Sequence, residues 1–319
     1  MDGGDAYYSF KTIEGGLERL GVMAQRINSD LVTHPTISGG IRRVKVPAAP
    51  GSRYVGLIFL YSSETLELLA ILTDGQLQRM RVAGTTAVGA RYLSREDSRV
   101  VGLLGAGWQA GAAAEALASV RPLSTMKVYS PSSERREAFA KEMEGKLGID
   151  VVPVESAQEA ATGSDIVACA TNSAGEVVRG AWIEEGAHPS SIRVHELDEE
   201  AWRRSDLIVF SGPPRSKGYS NYGTSGFERI HRAAEGEAEG TGLEDDRYLR
   251  YGEKTCLLSD MLVGDAPRRT ASSEITLMNK NFGLGIEFAC VAKLAYDRAM
   301  AEGEGQEIAT EHFSQLSHP

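Results

Sequence analysis

The residues whose types and spacing could do chemistry gather in one short run, Gly105-Ala106-Gly107-Trp108-Gln109-Ala110, directly after the apolar stretch Val100-Val101-Gly102-Leu103-Leu104. This is a GxGxxA pattern between an expected strand and an expected helix. In such a pattern the first glycine makes the tight turn and the second leaves room for backbone to approach a pyrophosphate. The small third residue lets the helix pack near the strand. The amides that open the helix, together with its dipole, favour an anion. The implied chemistry is dinucleotide binding by Gly105, Ala106, Gly107, Gln109 and Ala110. The alternative is a merely tight structural turn.

The end of the next expected strand, Met126–Tyr129, bears on which dinucleotide. A carboxylate there would hold the ribose 2′-hydroxyl of NAD. The chain instead reads Tyr129-Ser130-Pro131-Ser132-Ser133, with Arg135 and Arg136 just beyond. Hydroxyls and arginines suit a 2′-phosphate, so Ser130, Ser132 and Arg135 favour NADP(H), with NAD(H) possible. An alternative role for Ser132 or Ser133 is to cap the following helix. A third polar element, Ala170-Thr171-Asn172-Ser173, ends the expected strand Ile166–Ala170. Polar residues at that edge of a parallel sheet commonly face ligand, which makes Thr171 and Asn172 candidates; a plain Thr/Asn turn is the alternative.

The elements that must position these residues alternate from Arg99 onward. Expected strands are Val100–Leu104, Met126–Tyr129, Val151–Val154, Ile166–Ala170 and Leu207–Phe210, with helices over Gln109–Ser119 and Glu134–Lys146. Strands alternating with helices imply an α/β fold, a Rossmann-type doubly wound parallel sheet built from right-handed crossovers. The N-terminal part differs. The spacing of Ile13, Leu17, Leu20 and Met23 predicts a helix over Thr12–Gln25. Residues 34–53 read as loop or short strand. Tyr54–Tyr61 and Glu67–Leu72 read as two short strands about the turn Ser62–Thr65, and 77–93 as a small-residue helix. A long helix is expected over Gly285–Glu302. Residues 212–252, with Pro213-Pro214 and the acidic Glu235–Asp246, read as a surface insertion, a lid being the sharper alternative.

Composition bounds the class. The chain has 319 residues, 42% hydrophobic and 24% charged, ordinary for a globular protein of about two domains. A formal net charge of −10 and the short basic clusters Arg42-Arg43-Lys45 and Arg203-Arg204 argue against nucleic acid as a partner. No apolar run approaches a membrane span, and the acidic N-terminus is not followed by a signal-peptide core. Cys169, Cys256 and Cys290 show no metal or disulfide spacing, which suggests reduced thiols, a cytoplasmic address and no metal.

Several of these residues fall into a known order. Thr73-Asp74-Gly75, then Arg79-Met80-Arg81-Val82-Ala83-Gly84-Thr85-Thr86-Ala87, precede the Gly105–Ala110 turn. Gly163-Ser164-Asp165-Ile166-Val167, Trp182 with Glu185-Gly186-Ala187-His188, Glu196-Leu197-Asp198 and the late helix with Tyr296 and Ala299 follow. Over roughly residues 65–305 the chain resembles the ornithine cyclodeaminase/mu-crystallin family. The resemblance implies a homodimer in which 1–97 together with 285–319 forms a smaller α+β substrate and dimerisation domain, and 98–284 the nucleotide domain. It implies hydride transfer at the carbon beside a carboxylate. Arg81 takes the place of the family's carboxylate-binding arginine, Arg26 that of a second clamp, and Lys45 is the nearest candidate for the family's lysine. Thr85 joins the cofactor set. A guanidinium fork suits a planar carboxylate.

The chain departs from the family after His188. It runs His188-Pro189-Ser190-Ser191-Ile192-Arg193-Val194-His195 straight into Glu196, without the aspartate that would handle an amino group. The expectation is therefore an NAD(P)H-dependent imine reductase or amino-acid dehydrogenase acting on a small carboxylate-bearing imino or amino acid. The alternatives are a cyclodeaminase and a non-catalytic nucleotide-dependent binder.

Overall fold

The computed structural model describes residues 6–37, 39–212, 247–280 and 283–315. The chain divides into two compact units. One takes Tyr8–Leu31, Lys45–Arg81 and Gly283–Pro319, the other Met1–Tyr7, Val32–Val44 and Val82–Phe282.

The smaller unit is built on a sheet of strands β1 (Tyr7–Leu17), β2 (Val22–Thr33), β5 (Val44–Val46), β6 (Val55–Ser62) and β7 (Leu68–Thr73). Their order is β1-β2-β6-β7, with β5 also on β2, and the β2-β6 and β6-β7 pairs are antiparallel. The first eight residues of helix α1 (Asp74–Leu93) and all of helix α4 (Gly285–Glu302) belong to this unit. Val22, Ala24, Ile58, Leu60 and Leu77 form its core with Phe288, Ala289 and Ala292 of α4.

The helix expected over Thr12–Gln25 is not formed: those residues run through β1, a single 3-10 turn at Glu18–Leu20, and the start of β2. Gly21, at φ +65°, closes the reversal, a conformation that favours glycine. From Val22 the buried positions then alternate strictly along β2, the signature of a strand with one covered face. Pairing with β6 over Val22–Ser29 outweighs the helical spacing of four apolar residues.

The larger unit carries eight parallel strands: β8 (Val100–Leu104), β9 (Thr125–Tyr129), β10 (Asp150–Pro153), β11 (Ile166–Cys169), β12 (His188–Ser191), β13 (Leu207–Phe210), β14 (Thr255–Leu257) and β15 (Thr276–Asn279). Their order is β10-β9-β8-β11-β12-β15-β13-β14. The sheet runs outward from β8 in both directions, so β8 and β11 flank the point where the winding reverses, the ligand-binding crevice of such sheets. Helices α2 (Trp108–Val120) and α3 (Ser133–Leu147) cross between successive strands, and a small two-stranded pair, β3 (Thr36–Ile37) and β4 (Gly40–Ile41), belongs to the same unit. The five strands expected from the alternation are present within a residue or two of their expected bounds. Strands β12, β14 and β15 do not follow from the local pattern: His188-Pro189-Ser190-Ser191 has no β-branched residue, Thr255–Leu257 is only three residues long, and Thr276-Leu277-Met278-Asn279 has a single β-branched residue. The late helix spans Gly285–Glu302 as expected. Of the insertion at 212–252, residues 213–246 lie outside the described residues.

Candidate active site

In the larger unit the nucleotide turn is made as its glycines imply. Gly105 sits at φ +115°, and its amide donates to the Tyr129 carbonyl at 2.8 Å. A Cβ there would lie 2.5 Å from the Ala170 carbonyl oxygen. This glycine holds β8 against the end of β11. Gly107 plays a different part, since its φ of −108° suits any residue and a Cβ would meet nothing within 4 Å. It is the N-cap of α2 and provides no side-chain cap, whereas α3 is capped by Ser132, the short helix Ala157–Ala161 by Ser156 and Glu199–Arg204 by Asp198. The opening amides of α2 thus lack the side-chain oxygen that its neighbours have. Ala110 is wholly buried in the core between α2 and the sheet, Ala106 packs at its margin, and the enclosed Oε1 of Gln109 accepts no hydrogen bond among the described residues. Open space before Gly107 and uncapped helix amides fit a dinucleotide pyrophosphate.

The strand-end residues divide by role. Ser132 Oγ accepts from the Arg135 amide at 3.3 Å, so its hydroxyl is the cap of α3. Arg136 is buried, donating to the Ser130 carbonyl and pairing with Glu155. Arg135 is exposed and forms no ion pair among the described residues. At the end of β11, the Thr171 amide and Oγ1 both donate to Glu196 Oε1, at 3.0 and 2.7 Å. Glu196 Oε2 accepts from the amides of Ile192 and Arg193 at 3.0 and 2.9 Å. This fully buried carboxylate ties the loop after β11 to the loop after β12 and keeps Thr171 in place. The Asn172 carbonyl accepts from the Arg43 amide at 2.9 Å, and its side chain is exposed. Thr85 is buried on α1.

The three cationic candidates all lie in the smaller unit, each against a carboxylate. Arg26 Nε and Nη2 donate to Asp74 Oδ2 at 2.8 and 2.6 Å. Arg81 Nη1 donates to Glu287 Oε2 at 3.1 Å, and Glu287 Oε2 also accepts from the Leu284 amide at the start of α4. Lys45 Nζ stands 2.6 Å from Asp30 Oδ2, a carboxylate almost wholly buried while the lysine is partly open. The guanidinium carbons of Arg26 and Arg81 lie 5.3 and 5.0 Å from the centroid of the buried Phe288 ring. The structure therefore brings Arg26 and Arg81 together about one aromatic ring. It sets Lys45 in a separate pair further along β2, where Arg26, Asn28 and Asp30 share the covered face. Burial lowers the pKa of Arg81; Glu287 opposes the shift and Arg26 adds to it. The partners Asp30, Glu287 and Phe288 escaped the sequence reading. The signal was available for Asp30: polar residues at 26, 28 and 30 continue the alternation of Val22 and Ala24.

The cysteines play no part. Burial pushes all three thiols up, Cys256 to about 11, and each is free.

Residues 45–303 match the model of the ornithine cyclodeaminase/mu-crystallin family. The chain belongs to that family. A Rhizobium meliloti (strain 1021) protein named only as a dehydrogenase is 32% identical over 256 residues, 78% of this chain and 72% of the relative. A Δ1-pyrroline-2-carboxylate reductase of Bacillus cereus is 26% identical over 258 residues, 79% of this chain and 74% of that one. The solved Thermococcus litoralis Δ1-pyrroline-2-carboxylate reductase, in complex with NADH and L-proline, is 30% identical with a TM-score of 0.64, covering 95% of this chain and 90% of that chain. Family, fold and nucleotide turn together make this chain an NAD(P)-dependent oxidoreductase by class. No helix among the described residues is long and apolar enough to cross a membrane.

Proposed function

We propose that the protein reduces a small imino acid, or in reverse dehydrogenates the amino acid, at the carbon next to its carboxylate. The observation that carries this reading is the largely enclosed Arg81, braced by Glu287 and set over Phe288. A largely enclosed guanidinium held in one orientation is suited to bidentate capture of a carboxylate, and Glu287 offsets its charge. Arg26, locked by Asp74, lies over the same ring. Lys45 is the candidate to deliver the proton to the imine nitrogen before the hydride arrives. The nicotinamide dinucleotide, held by the turn Gly105–Gly107, the opening amides of α2 and Thr171, would supply or accept the hydride.

A reductase is favoured over a cyclodeaminase by Glu196. It is the carboxylate nearest in sequence to the missing aspartate, and its oxygens are taken by three backbone amides and the Thr171 hydroxyl. None is left for a substrate amino group. For the cofactor we favour NADP(H): the end of β9 has no carboxylate, and the exposed Arg135 stands just beyond it. The outward face of the small unit's sheet exposes Tyr8, Phe10, Met23, Val55 and Ile71. Exposed apolar side chains on this sheet support a homodimer, which sedimentation would detect. Free thiols support a cytoplasmic site of action.

The test is a screen at 340 nm with both reduced cofactors, over Δ1-pyrroline-2-carboxylate and imines formed from 2-oxo acids and amines. Consumption of NADPH with one of these is expected. Release of ammonia from ornithine without net cofactor change, and no imine turnover, would favour cyclodeamination instead.

A further inference from the structure

We infer that Gln78 is a substrate-binding residue whose side-chain oxygen accepts the N–H of the substrate nitrogen. The assignment rests on the carboxylate reading of Arg81 and extends it to the other half of an α-imino acid.

Asp74, Gln78 and Arg81 stand at positions i, i+4 and i+7 of α1, one face of the helix. Its two outer members are already engaged, Asp74 by Arg26 and Arg81 by Glu287. Gln78 lies between them, and its Oε1 is enclosed yet accepts no hydrogen bond among the described residues. An enclosed acceptor without a donor is costly and uncommon in a native fold. Leucine or methionine would fill the position at lower cost and with equal helix propensity, so packing does not explain an amide here. The nearby ion pairs exclude a second full charge but leave room for a neutral acceptor. The ligand chemistry that complements a guanidinium and a carboxamide oxygen on one helix face is a carboxylate with an N–H donor on the adjacent carbon.

That class comprises protonated imino acids and the amino acids they become. On reduction, the hydride's electron pair forms the new C–H bond. The C=N π pair moves onto nitrogen, and the proton already on nitrogen stays there; the reduced nicotinamide is the reductant. An acceptor held at that N–H favours the iminium, the more electrophilic form, over the free imine.

The experiment compares two planar ring acids as ligands of the full chain in the presence of NADP⁺, by calorimetry. Pyrrole-2-carboxylate has a ring N–H beside its carboxylate, and furan-2-carboxylate has a ring oxygen in the same place. The wild type is expected to bind the pyrrole acid about ten-fold more tightly, the worth of one hydrogen bond in an enclosed site. Gln78→Leu should erase that preference by weakening the pyrrole acid alone, with furan acid and cofactor affinities unchanged. Its thermal midpoint should hold or rise, because an unsatisfied amide has been removed; a merely structural glutamine would lower it. If Gln78→Leu weakens both acids equally, or neither, the assignment is overturned while the Arg81 reading stands. If the wild type binds cofactor but neither acid, the carboxylate reading fails, and the Gln78 assignment with it.

Discussion

The two units build their candidate binding residues from different materials. In the parallel-sheet unit the candidates are backbone groups: a glycine at φ +115°, a glycine with open space before it, and helix amides without a side-chain cap. In the antiparallel-sheet unit they are side chains, three cations each held by an acid and two of them against one ring. Backbone sites are specified by a few small residues at fixed spacing. Side-chain sites depend on partners distant in sequence, such as Arg81 with Glu287. Substitutions in the first should therefore act through shape, and in the second through charge.

The sharpest break of that contrast is within the turn itself. Gly107→Val should abolish dinucleotide binding while leaving the fold intact, because its side chain would enter the open space before α2 and nothing else. Titration of NADPH fluorescence reads this directly; unchanged binding would remove the dinucleotide from this turn. Arg81→Ala comes next. Truncating one member of a buried charge pair strands the other, so kcat/KM for the imino acid should fall by roughly a hundred-fold or more, with cofactor affinity little changed. Arg81→Lys should recover only part, since an ammonium cannot reproduce the fork. Turnover that survives Arg81→Ala would leave only the scaffold in common with the family.

The same contrast explains what was legible in the sequence. The turn Gly105–Ala110 and the strands around it follow from local pattern: a buried apolar strand, then small residues, then a helix. Arg81 entered through a resemblance, not through its surroundings. Its brace, Glu287, lies 206 positions away, and no local rule connects the two. Arg26 lies in a strand that begins where local spacing predicts a helix, because Ile13, Leu17, Leu20 and Met23 imitate a helix and the long-range pairing of β2 with β6 is invisible to a short window. Ser132 shows the converse. Cap and phosphate ligand call for the same residue type at the same place, and only the bond to the Arg135 amide separates them.

A pH experiment isolates one buried titratable group of the parallel-sheet unit, His188. Burial pulls the His188 pKa down from 6.5 to about 3, with the Thr276 hydrogen bond opposing. The folded ring is therefore neutral, with Nδ1 2.8 Å from the Thr276 carbonyl, whereas the unfolded ring protonates below about 6.5. A base depressed in the folded state contributes stability that is full above 6.5 and is lost as pH falls from there toward 3. The slope attributable to one proton is at most about 1.4 kcal/mol per pH unit. His188→Asn keeps a donor near the carbonyl and removes the titration, so its denaturation midpoint should vary less than wild type between about pH 6.5 and 5. Parallel curves for the two proteins would assign the acid loss to carboxylate pairs instead.

The smallest expected effect is on the choice between cofactors, where a backbone-built site relies on a side chain. In the proposed site the turn and the amides of α2 would serve the pyrophosphate shared by NADH and NADPH, so discrimination would fall to the end of β9. Ser132 is committed to capping α3 and Arg136 to Glu155, which leaves Arg135 and the Ser130 hydroxyl. Arg135 is exposed, and an exposed charge contact with a phosphate is worth only about 1 kcal/mol. Arg135→Ala should therefore reduce NADPH affinity about five-fold and leave NADH unchanged. Because the contact is screened, the gap between the cofactors should narrow in the wild type as salt is raised, and little in the variant. Binding of NADH ten-fold tighter than NADPH in the wild type would refute the preference outright. Equal loss of both cofactors in Arg135→Ala would place that arginine on the shared part of the dinucleotide.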